Sequence, residues 1–125
     1  MTAATTAALR ACAAGLYPAE AGVELLISHD CFLHRHDFAG FVHAGTSITD
    51  ATTLMAEIDW AAAVTALHAG QLPASGGERR ILQLAASIAD GTLISLRQTI
   101  PGLDNRNLKL LITAIRRAAG QHPSR

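Results

Sequence analysis

A chain of 125 residues suffices for one hydrophobic core and falls short of two ordinary domains. Half of its residues are hydrophobic, which excludes a disordered chain, and no run reaches the ~18 apolar residues that would span a bilayer. Ten basic and ten acidic side chains cancel, yet residues 1–94 balance to −5 and residues 95–125 to +5, so neutrality hides an acidic body joined to a basic C-terminal end.

Alanine dominates and aromatic residues make only 4%, a composition that favours helices with close contacts over strands. The expected fold is therefore all-α, a compact bundle of about six to eight short helices. It forms a single domain over residues 1–119, with a frayed C-terminal tail at 120–125. In chain order, residues 2–16 read as an Ala-rich helix with Leu9, Cys12 and Leu16 on one face. Pro18 suits the first turn of a second helix running to about Ser28, because its missing N–H would be unpaired there anyway. Residues 29–36 are a connection anchored by Phe32 and Leu33, and 37–44 one short helix holding Phe38, Phe41 and Val42.

Residues 45–58 carry the weakest signals. Gly45, Thr46 and Ser47 read as loop, and 52–58 reads as helix for want of a second convincing strand. A minor hairpin within 41–58, pairing 41–43 with 54–58, is the alternative. Asp59 then fits an N-cap, with Trp60, Val64 and Leu67 on one face and Gly70 at the stop. Ser75-x-x-Glu78 is a capping box opening a helix that Gly91 ends. Ser95-x-x-Gln98 is a second box, closed by Pro101 and Gly102, and Asp104 caps the last helix. On that helix Leu108, Leu111, Ile112, Ile115 and Ala119 share one face at core spacing.

Four constellations bear on function. His29, Cys31, His34 and His36, with Asp37 and His43, gather zinc-type ligands within residues 29–43, although no finger, knuckle or ribbon spacing is present. Zinc is the one cofactor this suggests. Ser28-His29-Asp30-Cys31 has the letters of a catalytic triad, but sequence neighbours do not converge in space, and no catalytic residue is expected. Residues 72–79, Leu-Pro-Ala-Ser-Gly-Gly-Glu-Arg, resemble the Ser-Gly-Gly signature of ABC-type ATPases. That family also needs a G-x-x-x-x-G-K-[ST] phosphate loop, which this chain lacks, so the likeness implies no ATP hydrolysis.

The fourth is residues 95–119, a short helix, a tight turn and a longer helix, the outline of a helix-turn-helix. Asn105, Arg106 and Asn107 stand where such a motif reads bases, and Lys109, Arg116 and Arg117 where it meets phosphates. The leading expectation is a non-enzymatic helical interaction or regulatory protein that self-associates as a homo-oligomer or binds a protein partner. DNA binding through 95–119 and metal binding through 29–43 are the alternatives. With no basic n-region before the first apolar stretch, the chain reads as cytoplasmic with reduced cysteines and no membrane partner.

Overall fold

The computed structural model describes residues 3–121. Six α-helices, two 3-10 turns and one hairpin follow in the order α1 (Ala3–Ala13), α2 (Tyr17–His29), 3-10 turns at Phe32–His34 and His36–Phe41, β1 (Val42–Thr46), β2 (Leu54–Ile58), α3 (Trp60–His68), α4 (Gly76–Asp90), α5 (Leu96–Thr99) and α6 (Asn105–Ala118). The tail expected to fray lies, beyond Gln121, outside the described residues. No helix among the described residues is long and apolar enough to cross a membrane.

Helices α2 and α4 form the central pair of the fold, with α6 packed chiefly on α2 and α3 on α4, while α1 lies across β2 and against α2. Leu9, Leu25, Leu26, Phe32, Phe38, Leu67, Leu72, Ile81 and Leu82 are the large side chains fully withdrawn from water, in one contiguous cluster. Local chemistry sets the ends of these helices. Asp59 accepts the Ala62 N–H at 3.1 Å, and Asp104 accepts the Asn107 N–H at 2.7 Å. Ser75 and Glu78 close both halves of the capping box, and Gly91 stops α4 with φ +74°.

The structure corrects the all-α expectation at one place. Residues 54–58 are a strand, paired antiparallel with 42–46 in the register Val42↔Ile58 to Thr46↔Leu54. The helix expected at 37–44 is a 3-10 turn that unwinds into β1, and Gly45 and Thr46 lie in the strand. The cause is tertiary. Packing of α1 on β2 buries Ala56 and Ile58, the alternate positions of one strand face, which a local helical preference cannot offset. In the connecting loop Asp50 accepts from Thr52 N–H, Thr52 Oγ1 and Thr53 Oγ1, which holds its carboxyl down at about 2.

A second correction concerns α6. The residues it buries are Asn107, Leu111 and Ala114, which face α2 and α4. Leu108, Ile112 and Ile115, expected in the core, are 39%, 42% and 53% exposed. Apolar residues cover more of this helix than its neighbours can, and packing against α2 selects the adjacent face.

Candidate functional site

The histidine-rich segment does not converge. His29 is 8% exposed on α2, with its Nδ1 buried and without a hydrogen-bond partner among the described residues. Burial, reinforced by the nearby Arg106 guanidinium, holds its pKa below the ordinary histidine value. His34 turns outward and pairs with Asp30, which ends α2 in a left-handed conformation. His36 is exposed. Among the described residues no group of three or more His, Cys, Asp or Glu is placed to hold a metal ion.

Cys31 has a different engagement. Its Sγ–H donates to Glu78 Oε2 at 2.7 Å, while Glu78 Oε1 accepts the Ser75 N–H at 2.7 Å. One carboxylate thus caps α4 and ties the 30–41 segment to it. The thiol hydrogen bond, then the Ser75 N–H, holds Glu78 below the usual carboxylate range. Burial and the same carboxylate push the Cys31 thiol up to about 11. Both cysteines are free thiols.

This geometry predicts a protected thiol. The thiolate is the reactive form, so at pH 8 a thiol with a pKa near 11 is far less ionised than one with an ordinary value near 9, and even with the greater nucleophilicity of the more basic thiolate it reacts about tenfold more slowly. Iodoacetamide labelling followed by peptide mass analysis should show Cys31 modified about tenfold or more faster in denaturant than in the native protein. Equal rates would contradict the Glu78 contact.

In the 95–119 segment α5 is a single turn of four residues. Asn107 is buried at the foot of α6. Arg106 reaches back to α2 and donates from Nη2 to the carbonyls of Ser28 at 3.1 Å and His29 at 3.2 Å. Those are last-turn carbonyls of α2, where a cation also meets the negative end of the helix dipole. Arg117 lies 3.9 Å from Glu20 on the same helix. Asn105, Lys109 and Arg116 are exposed. Of the six residues expected to meet DNA, Asn107 is buried, Arg106 and Arg117 lie against α2, and Asn105, Lys109 and Arg116 are exposed.

The exposed surface of α6 also carries apolar side chains. Leu108, Ile112 and Ile115 stand four and three residues apart, a continuous stripe of branched side chains flanked by Lys109 and Arg116. Ten large hydrophobic side chains are exposed among the described residues, and six of them (Leu93, Leu96, Ile100 and these three) fall within residues 93–115. On α6 itself the three are neighbours along one face, unlike singly scattered apolar residues. The signal was available in the sequence. Residues 108, 110, 111, 112, 114, 115, 118 and 119 are all apolar, more than a single buried stripe requires. No protein-family model, curated protein or solved structure matches this chain.

Proposed function

We propose that this chain is a non-enzymatic interaction protein that self-associates, with the Leu108–Ile112–Ile115 stripe of α6 seated on the β1–β2 hairpin of a second copy. The observation that carries this reading is the exposed stripe itself, three branched aliphatic residues in solvent on a helix whose adjacent face is packed. The choice of occupant rests on charge and on apolar complementarity. The α5–α6 stretch is basic through Arg97, Lys109 and Arg116, whereas the hairpin region is acidic through the exposed Asp50, Glu57 and Asp59. The hairpin also holds two of the remaining exposed apolar residues, Ile48 and Leu54. A stable interface needs about 800 Å² per partner, more than three side chains provide. In a two-fold dimer each copy gives both patches and receives both, so the contact is made twice.

Static light scattering coupled to size exclusion tests the reading. The expected mass is that of a dimer at micromolar concentration, shifting to monomer in the Ile112→Asp/Ile115→Asp variant, with at least about a tenfold loss of association. Both positions are solvent-facing, so the variant should keep the wild-type circular dichroism. A chain that is monomeric at all concentrations would overturn the proposal. With Arg106 donating to the α2 carbonyls and Asn107 buried, a DNA-binding reading rests on the exposed Asn105, Lys109 and Arg116.

A further inference from the structure

A cleft of about 400 Å³ opens between the end of α3, the first half of α4 and the segment leading into α5. His68, Arg79, Arg80, Gln83 and Gln98 supply its polar lining, and Leu93 and Ile94 its apolar wall. No carboxylate among the described residues lines it. The volume lies within the range usual for small-molecule sites, about 300–1,000 Å³.

The two arginines set it apart from the rest of the molecule. Four arginines are partly buried among the described residues: Arg35, Arg79, Arg80 and Arg117. Arg35 pairs with Asp37 at 2.6 Å and Arg117 approaches Glu20. Arg79 and Arg80 have no acidic partner among the described residues. Arg79 Nη1 donates to the Leu67 carbonyl at 3.2 Å, which fixes the side chain and leaves its other donors unused. Arg80 makes no hydrogen bond or ion pair among the described residues. The carboxylates of the adjoining segments are already engaged, Glu78 by Ser75 and Cys31, Asp104 by the first turn of α6.

Arg80 is nevertheless closely flanked by backbone. Its guanidinium lies against two glycines from separate segments, Gly76 and Gly102. A Cβ on Gly76 would stand 2.9 Å from Nη1, and one on Gly102 would stand 2.9 Å from Nη2. Gly102 has φ +93°, so the turn after α5 takes a conformation suited to glycine at the point where the guanidinium needs the space. A planar cation with five donors, seated in a backbone slot and lacking a counter-ion, is matched to the tetrahedral oxygens of a phosphoryl group.

We propose that this cleft binds a small organic phosphate. Arg80 takes two phosphoryl oxygens, and the free donors of Arg79 take a third. The amides of Gln83 and Gln98 direct the remaining polar atoms, and Leu93 and Ile94 cover the carbon skeleton. The site is independent of the α6 stripe and stands whether or not the chain self-associates.

Inorganic pyrophosphate is the probe, with orthophosphate and citrate as comparison arms, titrated into the full chain by calorimetry and by ¹⁵N NMR of the arginine Nε–H signals. Pyrophosphate should bind saturably with a Kd of about 1 mM or tighter and shift the Arg79 and Arg80 resonances. Arg80→Gln should weaken binding about tenfold or more. Gln98→Glu, at an exposed position that leaves the fold intact, should abolish binding by placing a carboxylate beside Arg80. Absence of saturation overturns the proposal. So does unchanged affinity in both variants, which would place binding elsewhere. Citrate binding as tightly as pyrophosphate overturns the phosphate assignment.

Discussion

Gly22→Ala is expected to lower stability by about 2–3 kcal/mol, or roughly 10 °C in melting temperature, although alanine is the better helix former. The reason is the approach of α2 to α4. A Cβ at Gly22 would stand 2.5 Å from Ala89 Cβ and 2.9 Å from the Ala85 carbonyl oxygen. Neither neighbour can yield, because one is backbone and the other is a methyl group with no rotamer to change. The helices must separate, and the separation opens the most extensive helix–helix contact of the fold. The intrinsic gain of alanine over glycine within a helix, about 1 kcal/mol, offsets only part of this. Ala89→Gly in the same background removes the shorter contact and leaves the carbonyl one, so it should restore about half of the loss. Thermal and urea denaturation followed by circular dichroism measure both. A Gly22→Ala protein as stable as the wild type would mean that the two helices are not in contact at this point.

Gly22 also illustrates what the sequence conceals. Nothing near it in the chain marks it as a contact point, because the atoms that exclude a Cβ lie more than sixty positions away. The caps were legible for the opposite reason. Asp59, Ser75, Gly91 and Asp104 act on N–H and carbonyl groups within four residues, so spacing alone reveals them. The hairpin was half legible. Residues 54–58 showed an apolar run that periodicity could not assign, and its partner 42–46 was obscured by glycine and by an aromatic run ahead of it. On α6 the period was read correctly and the face was not, since the choice between Leu111 and Ile112 belongs to α2. The Cys31–Glu78 bond and the Arg80 slot join residues 47 and 22 positions apart, and local sequence carries no trace of either.

The largest single loss is expected from Phe32→Ala. The three phenylalanines of the chain, Phe32, Phe38 and Phe41, form one cluster of tilted and edge-to-face rings, with centroids 5.5 Å apart at the first contact and 5.7 Å at the second. Phe32 and Phe38 are fully buried. Residues 30–41 contain only 3-10 turns, whose short hydrogen-bond ladders do little to hold a chain in place, so side-chain burial fixes this segment. Phe32 is its centre, with His29 at 6.4 Å on one side and the Arg35 guanidinium 5.4 Å above the ring. Truncation to alanine should cost about 3–5 kcal/mol, a large part of the 5–15 kcal/mol that a domain of this size has in total. Phe32→Leu keeps most of the volume and should cost about half as much. The variant also carries a local readout. Once the cluster is broken, Cys31 should lose its burial and its contact with Glu78, and native-state alkylation at pH 8 should accelerate towards the denatured rate. A Phe32→Ala protein that unfolds at the wild-type temperature with Cys31 still protected would show that the segment is held by something other than its aromatic residues.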